Sequence, residues 1–318
     1  MGTTEQQLDW HGDAFRHEAL FYAGDRDYVR HTVPFIDAGV ANGEPVLVLV
    51  PASKLALLRE HVPTPAPGVV FGDVERIGRN PNCIIAVFDR FVAEHARDGQ
   101  RARGIGEPIW ASRTPAELVE CQRHEELINL AFAGANEVWI LCPFDTDALD
   151  ESVIAEAHRS HPWVTGEQMA QRSAEYVDPI SAYDAPLAEP AVPTDTFAFD
   201  RASLGHLRQV VTARAVAHVD AAGVDEIVLA VSEFATNSIR HGGGRGSVRI
   251  WTEGTAFVCE IHDDGRITDP MIGRRRPAAE GIGGRGVWLV NHLCDLVQIR
   301  SADSGTVVRL TFGTVEPT

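Results

Sequence analysis

Lysine is nearly absent from this sequence, and its absence excludes two kinds of enzyme. Of the 28 basic residues, only Lys54 is a lysine. No glycine run precedes Lys54, so the chain has no Walker A loop, which needs a lysine directly after its glycines. A Schiff-base enzyme would depend on Lys54 alone, and nothing around it in the sequence indicates that chemistry.

Disulfide and membrane signals are also missing. The five cysteines contain no CxxC pair, and their number is odd, so we expect reduced thiols. No apolar run reaches the roughly 18 residues of a membrane-spanning helix. The polar N-terminus lacks the apolar core of a signal peptide. Together these features predict a cytoplasmic protein without a membrane anchor.

Positive charge is scarce as well. The formal net charge is −17, and residues 1–194 carry most of it, with 30 acidic against 15 basic residues. Residues 195–318 are nearly balanced, with 15 acidic against 13 basic residues. Neutralising nucleic-acid phosphates needs clustered cations, so we expect no direct nucleic-acid binding. A length of 318 residues predicts about two domains.

The first domain is predicted at residues 1–164 as a three-layer α/β domain. Continuous apolar runs at 45–50 and 138–144 are typical of buried parallel strands. A further strand is predicted at 69–74, and helices at 52–62, 82–95, 114–133 and 147–158. Strand and helix signals that alternate in this way indicate a parallel sheet with helices on both faces. Residues 165–194, with interspersed prolines, are predicted to be a linker.

The second domain is predicted at residues 195–318 as a two-layer α/β sandwich. Helices are predicted at 202–219, 225–240 and 285–294, and strands at 247–253, 256–263, 296–301 and 306–312. The last two strands form a hairpin around Asp303-Ser304-Gly305. The overall fold class is therefore α/β in both domains.

Three polar residues share one face of the second predicted helix. Glu233, Asn237 and His241 are spaced four residues apart, which keeps them within about 80° around a helix. Downstream, Asp263 ends a strand and Gly265 follows in the turn. A carboxylate at that place can accept a hydrogen bond from the exocyclic amine of a base.

A glycine cluster follows the polar helix and the strand. Gly281, Gly283, Gly284 and Gly286 lie before or at the start of a helix. Glycines allow close approach to phosphates, and a helix N-terminus offers free N–H groups. Arg274, Arg275 and Arg276 lie in the loop before the cluster and favour an anion there. Each motif alone is weak evidence, but their order along the chain favours a nucleotide site.

With these motifs in order, residues 195–318 resemble the GHKL (histidine kinase-like, Bergerat-fold) ATPase domain. The nearest subgroup is the anti-sigma-factor serine kinases of the RsbA/RsbW type. Glu233, Asn237 and His241 match the N box, and Asp263-Asp264-Gly265 the first glycine box. Gly284-Arg285-Gly286 matches the second glycine box, and Gly305-Thr306 the motif of the final strand.

The resemblance implies a role for each matching residue. Glu233 would be the catalytic base, and Asn237 would bind the Mg²⁺ that bridges the phosphates of ATP. Asp263 would recognise adenine, with Thr306 nearby. Gly284 and Gly286 would line the phosphate path. The remaining candidates for nucleotide binding are His241, Gly265, Gly281 and Gly283.

One position departs from the family pattern. The first glycine box usually reads Asp-x-Gly-x-Gly, but Ile267 replaces the second glycine. That glycine helps the lid over the nucleotide to start and to move. The departure therefore affects lid closure and turnover more than adenine recognition.

Residues 15–164 resemble the MEDS domain, a bacterial sensory module. The resemblance is carried by the segments HEALFYAGDRDYVRHTVPFIDAGVANGEPVLVLV, RARGIGEPIW and CPFDTDALDESVIAEAHRSHPW. Its polar candidates near strand ends and turns are His17, Arg103, Glu107, Asp145 and His161. We favour caps, turn bonds and satisfied histidines for them. His17 and His161 are far apart in sequence, and no short ligand spacing predicts a metal site.

Three functions remain open at this point. The first is an ATP-binding anti-sigma factor, controlled by the sensory domain, that phosphorylates a serine or threonine of a STAS-type antagonist. Its partners would be a sigma factor and that antagonist, with a homodimer as one alternative for its assembly. The second is a non-catalytic, ATP-dependent partner-switching module. The third, a sensor histidine kinase, is disfavoured because His206 and His218 lie in the domain's own first helix.

Overall fold

A computed structural model describes residues 15–63, 66–96, 100–134, 137–165, 170–177, 185–192, 194–277 and 284–314. These residues form two compact units. The first comprises the described residues up to Gly78 and those from 84 to 177; the second comprises Arg79–Cys83 and 185–314. None of the described helices combines the length and the apolar composition that crossing a bilayer requires.

The first unit contains a seven-stranded sheet in the order β3-β2-β4-β5-β1-β6-β7. Its strands are β1 (Phe15–Tyr22), β2 (Val46–Val50), β3 (Val69–Asp73), β4 (Ala102–Gly106), β5 (Val138–Asp145), β6 (Trp163–Thr165) and β7 (Gln171–Arg172). Its helices are α1 (Gly24–Ala41), α2 (Ala52–His61), α3 (Val74–Ile77), α4 (Ile84–His95), α5 (Pro115–Phe132) and α6 (Glu151–Ser160). All strand pairs are parallel except β6 with β7.

Helices cover both faces of this sheet, as the three-layer prediction requires. Val46, Val48 and Val50 of β2 pack with α1 and α2 in one core cluster. On the opposite face, Gly104 leaves room for Phe88 of α4, since an added Cβ would lie 2.3 Å from the Phe88 ring. Strands buried on both faces explain the continuous apolar runs in the sequence.

The second unit is a five-stranded antiparallel sheet in the order β11-β12-β10-β9-β8. Its strands are β8 (Asp195–Asp200), β9 (Arg245–Glu253), β10 (Ala256–Asp263), β11 (Leu296–Ala302) and β12 (Gly305–Gly313). Its helices are α7 (Leu204–Ala215), α8 (Ala221–His241) and α9 (Arg285–Leu293). Alternate residues of β10 and β12 pack with all three helices in one core cluster, which gives the predicted two-layer sandwich.

The outer face of the second sheet is polar. Glu260 of β10 is fully buried there, between the guanidinium groups of Arg249 and Arg309. Burial alone would raise the pKa of Glu260, but hydrogen bonds from His262 and Arg249 lower it to about 2. Arg309 also donates a hydrogen bond to the carbonyl of Ala188, at 2.7 Å. The residues just before β8 therefore contact this face.

The predicted linker, 165–194, contains some ordered contacts in the described residues. β7 adds an antiparallel strand to the edge of the first sheet. Glu189 forms an ion pair with Arg249 at 2.7 Å, and Arg300 donates a hydrogen bond to the carbonyl of Ala185 at 3.1 Å. The domain limits drawn from the sequence remain a prediction.

The elements predicted from the sequence are present, with ends shifted by a few residues. The capping signal before α5 is confirmed, because Thr114 and Glu117 bond reciprocally in a capping box. Seven of the described elements had no prediction: β1, α1, α3, β4, β6, β7 and β8. β4 reads Ala-Arg-Gly-Ile-Gly and lacks the β-branched run of β2. Its composition therefore does not predict a strand, although all five of its residues are buried.

Candidate functional site

Helix α8 provides the polar stripe that begins the site in the second unit. The Asp220 side chain caps its N-terminus by accepting a hydrogen bond from the Gly223 N–H at 2.8 Å. Ile227, Val231 and Phe234 are buried in the core, which fixes the rotation of the helix. Glu233 and Asn237 are then half-buried, one helical turn apart at the edge of that core.

Glu233 lies against the first turn of α9. An added Cβ at Gly286 would lie 2.4 Å from Oε2 of Glu233, so the carboxylate occupies the space that any other residue would fill. Gly284 precedes the helix as its N-cap, in the left-handed conformation with a φ of 76°. That conformation favours glycine. Gly284 is therefore favoured by its backbone conformation, and Gly286 by the space that the Glu233 carboxylate occupies.

Asp263, at the end of β10, is held by three neighbours. The Ser238 hydroxyl donates to Oδ2 at 2.6 Å, and the Gly265 N–H donates to Oδ1 at 2.8 Å. An added Cβ at Gly242 would lie 2.5 Å from Oδ1, so the end of α8 also packs against the carboxylate. These contacts fix the carboxylate beneath the polar helix. Ser238 and Gly242 had no predicted role in the site, although Ser238 lies between the N-box residues Asn237 and His241 and Gly242 follows them directly.

A chain of hydrogen bonds connects the first glycine box to the last two strands. The Thr306 hydroxyl donates to the carbonyl of Gly265 at 2.8 Å. Ser301 Oγ lies 2.9 Å from the Thr306 hydroxyl and accepts a hydrogen bond from the Ile267 N–H at 2.8 Å. Because the Thr306 proton is directed to Gly265, the Ser301 hydroxyl is the donor to Thr306. Ile267, the departure from the family pattern, is thus fixed through its backbone by Ser301.

An open cavity of about 380 Å³ lies at the ends of β9, β10 and β12. Asp263 and Thr306 face each other across the β10–β12 pairing and line its wall. Arg245 and His262 line the same cavity. The structure therefore places two of the residues predicted for adenine recognition next to each other, although they are 43 positions apart in sequence.

The remaining predicted residues of the site are a histidine, two glycines and three arginines. His241 is exposed as the last residue of α8. Gly281 and Gly283 lie outside the described residues. Arg274 is buried, at 5% exposure, whereas Arg275 and Arg276 are exposed. That these arginines favour an anion above the site stays a prediction, with Arg275 and Arg276 as its exposed members.

In the first unit, three of the predicted polar candidates form bonds of the expected kind. Arg103 forms a buried ion pair with Glu44. Glu107 accepts a hydrogen bond from the Tyr22 hydroxyl at 2.9 Å, and burial raises the pKa of Glu107 to about 8. Asp145, at the end of β5, accepts a hydrogen bond from the Asp147 N–H at 3.1 Å. Arg103 and Asp145 follow the caps-and-bonds interpretation, whereas Glu107 follows it only through Oε1, since its Oε2 is buried without a hydrogen-bond partner among the described residues.

The structure brings the other two candidates, His17 and His161, together, which the sequence did not predict. Their ring centroids are 4.0 Å apart, and both side chains are buried. Burial and the neighbouring His161 lower the pKa of His17 to about 4. Glu125 and Cys142, for which no role in a site was predicted, join them in a cluster of four metal-ligand side chains. The sequence interpretation had found no support for a metal site here, because the ligands come from four separate elements.

Comparison with known families assigns both units. Residues 16–162 match the model of the MEDS family, the methanogen/methylotroph DcmR sensory domain. Residues 197–312 match the model of the histidine kinase-like ATPase domain. The chain therefore joins a MEDS domain to a histidine kinase-like ATPase domain.

The chain is also similar in part to a solved structure. A structure of the RsbU and RsbW domains of Rv1364c from Mycobacterium tuberculosis is 18% identical, with a TM-score of 0.29. The match covers 40% of this chain and 34% of that one, so this chain spans about a third of its length. No curated protein matches this chain.

Proposed function

We propose that this chain, a MEDS domain joined to a histidine kinase-like ATPase domain, is a cytoplasmic regulator of transcription. Its ATPase domain binds Mg-ATP, sequesters a sigma factor and phosphorylates a serine or threonine of a STAS-type antagonist. The MEDS domain senses a signal and controls that activity. The match to the ATPase family supports ATP binding. The residues described above support the finer assignments.

The observation that carries the proposal is the contact between Glu233 and Gly286. The N-terminus of a helix offers N–H groups and positive potential to phosphates. The Glu233 carboxylate lies beside the first turn of α9, where Gly286 leaves room for it. A base in that position is next to the place where the terminal phosphate of ATP would bind. Glu233 is therefore the catalytic residue of the proposal.

Asp263 is the residue that we assign to adenine. Two hydrogen bonds fix its carboxylate, and a carboxylate retains further acceptor positions after accepting them. Thr306 stands opposite on β12 and holds the carbonyl of Gly265. Gly265, Gly284 and Gly286 contribute backbone to the nucleotide path, and His241 stands at its exposed edge. We include Gly281 and Gly283, outside the described residues, in the same path.

The donor set suits magnesium. Asn237 offers an amide oxygen on the same helix as the Glu233 carboxylate, and Mg²⁺ prefers hard oxygen ligands while keeping several waters. When bound, the ion would neutralise phosphate charge. Asn237 would hold it, and Glu233 would remain available as the base.

The proposed step transfers the terminal phosphoryl group of ATP. The hydroxyl oxygen of the antagonist forms a bond to the γ-phosphorus while the bond from that phosphorus to the ADP oxygen breaks. The hydroxyl proton passes to Glu233, and ADP leaves. The product carries about −1.5 to −2 charges at the modified residue, which would expel the antagonist from its partner surface.

The test uses the full chain with Mg-ATP labelled in the γ-phosphate and purified STAS-type antagonists. We expect acid-stable label on a serine or threonine of one antagonist. Glu233→Gln should abolish the label while ATP binding, measured by calorimetry, is retained. Glu226→Gln is the matched control, because Glu226 is an exposed glutamate of the same helix.

The other outcomes point to the alternatives. ATP binding without transfer to any antagonist, and regulation retained in Glu233→Gln, would mean a non-catalytic partner switch. The attachment of Ile267 to Ser301 favours that alternative, because it fixes the start of the lid. Acid-labile phosphate on the chain itself would mean a histidine kinase. A chain that is folded but does not bind ATP would contradict all three.

A further inference from the structure

Four metal-ligand side chains meet inside the MEDS domain. They come from separate elements: His17 from β1, Glu125 from α5, Cys142 from β5 and His161 from the C-terminus of α6. Each residue offers one ligand atom, and these atoms all lie within 4.8 Å of one another. No residue of the four is more than 1% exposed. The parallel pairing of β1 with β5 and the packing of α5 on that face bring them together.

Four of the six separations among these atoms are close to those around a tetrahedral ion. Ligands about 2.0–2.3 Å from a zinc ion are roughly 3.3–3.8 Å from one another at tetrahedral angles. Oε2 of Glu125 lies 3.1 Å from Nε2 of His17 and 3.5 Å from Nε2 of His161. Sγ of Cys142 lies 3.3 Å from both His17 Nε2 and Glu125 Oε2.

The second nitrogen of His17 fixes its tautomer. Asn129 donates a hydrogen bond through Nδ2 to the carbonyl of Ser160 at 2.8 Å, so its Oδ1 faces the imidazole ring. That oxygen can only accept, and it lies 3.0 Å from Nδ1 of His17. Nδ1 therefore carries the proton, and in the neutral ring Nε2 directs its lone pair into the cluster.

His161 is oriented in the same way by a backbone group. Its Nδ1 lies 2.8 Å from the carbonyl oxygen of Ala157, which can only accept. Nδ1 is therefore the donor, and Nε2 of the neutral ring faces the cluster with a lone pair. Metal-binding histidines commonly donate their other N–H to a carbonyl or another fixed acceptor, which orients the ring. Both histidines have that arrangement.

The hydrogen bonds among these residues leave polar atoms unsatisfied. Nε2 of His161 and Oε1 of Glu125 are buried and have no hydrogen-bond partner among the described residues. Two imidazole lone pairs and a carboxylate converge on one place. With both imidazoles neutral, the Cys142 thiol is the only one of the four side chains that directs a hydrogen-bond donor into the cluster. Buried polar atoms are normally satisfied, and an unsatisfied one is costly. A cation at the centre would satisfy all of them together.

We propose that the MEDS domain binds one divalent transition-metal ion through His17, Glu125, Cys142 and His161. Two imidazole nitrogens, one carboxylate oxygen and one thiolate sulfur suit Zn²⁺, an ion of borderline softness. The carboxylate and the thiolate together balance the charge of the ion, and the thiol proton is released to solvent on binding. The ring of Phe144, 5.4 Å from that of His161 between centroids, is part of an apolar surround.

The first test measures metal in the full chain as purified and after refilling with Zn²⁺ or Co²⁺. We expect about one ion per chain. Co²⁺ reports its ligands directly, since tetrahedral coordination with a thiolate gives intense visible absorption and a sulfur-to-cobalt charge-transfer band. Absence of that band, with no metal retained by a folded chain, would overturn the proposal.

Variants then locate the site. Cys142→Ser should remove the charge-transfer band and most of the bound metal. Cys121→Ser is the matched control, because Cys121 is equally buried in the same unit but hydrogen-bonds to the carbonyl of Pro108 at 3.3 Å. If Cys142→Ser does not fold, His161→Gln replaces it, with a loss of metal as the expected result. Equal metal content in a folded cluster variant and in Cys121→Ser would contradict the assignment.

Discussion

The carboxylate of Glu233 and the missing side chain of Gly286 are complementary: Oε2 lies 2.4 Å from the position that a Cβ on residue 286 would take. Gly286 belongs to a helix, where glycine is less favourable than alanine by up to about 1 kcal/mol. Gly286 lowers the stability of its helix but leaves space for a carboxylate, which indicates that the site requires glycine at this position. The N box and the second glycine box are therefore in direct contact, through Glu233 and Gly286.

Gly286→Ala should displace the Glu233 carboxylate without unfolding the protein, because the clashing atom is the end of a flexible side chain. A misplacement of about 1 Å can lower a rate by about a hundredfold. We expect a loss of that order in phosphate transfer to the antagonist. The matched control is Gly205→Ala in α7, where an added Cβ meets nothing within 4 Å. Equal transfer rates in the two variants would mean that Gly286 does not determine the position of the Glu233 carboxylate.

Ser238→Ala should weaken ATP binding by about tenfold, because a hydrogen bond to a charged group contributes roughly 1.5–3 kcal/mol. The Ser238 hydroxyl lies 2.6 Å from Oδ2 of Asp263 and fixes the carboxylate that we assign to adenine. Ser232→Ala is the control, since Ser232 accepts a hydrogen bond from Arg208 at the surface of the same helix. Calorimetric titration of Mg-ATP into each full-length variant measures the effect, and unchanged affinity in Ser238→Ala would count against the assignment of Asp263.

The sequence predicts the candidate nucleotide site because each of its motifs is short and local. Glu233 and Asn237 follow from helical spacing, and Asp263 and Thr306 lie at the ends of strands with clear alternation. The supporting residues were harder to find. Ser301 looks like an ordinary strand residue, and only the pairing of β11 with β12 brings it to Thr306 and Ile267.

The cluster in the MEDS domain could not be predicted from spacing at all. His17 and Glu125 are 108 positions apart, and His17 and Cys142 are 125 positions apart. Short metal-ligand motifs are visible because one turn or one hairpin holds both ligands. Here the parallel order of the strands places the ligands together, so the tertiary fold carries the information. β1, the strand that holds His17, was itself not predicted.

Glu107→Gln should stabilise the protein progressively as the pH rises from about 4.5 to 8. Burial raises the pKa of Glu107 from its ordinary value of 4.5 to about 8, in a setting of Tyr22, Lys54, Tyr28 and Asp145. The folded protein keeps a proton there that the unfolded chain releases, so wild-type stability falls with pH in this range, and below it the contribution of Glu107 does not depend on pH. The difference between variant and wild type should grow by at most about 1.4 kcal/mol per pH unit.

Urea unfolding at several pH values measures that difference. Glu60→Gln is the control, because Glu60 is exposed on α2 of the same unit. A pH-independent difference between Glu107→Gln and the wild type would mean that Glu107 is ionised in the folded protein. The same result in both variants would point to a general effect of removing negative charge.

Asn129→Leu should weaken metal binding without removing a ligand. Oδ1 of Asn129 accepts the proton on Nδ1 of His17, at 3.0 Å, and so keeps Nε2 directed into the cluster. Loss of such a supporting hydrogen bond typically lowers metal affinity by about 10–100-fold. Competition with a Zn²⁺ chelator measures the affinity, and the Co²⁺ band should persist at saturating metal because all four ligands remain. Gln122→Leu, the same kind of change on α5 outside the cluster, is the control. Equal affinities in Asn129→Leu and Gln122→Leu would mean that His17 needs no support from Asn129, whereas loss of the Co²⁺ band at saturation would mean that the substitution removed a ligand.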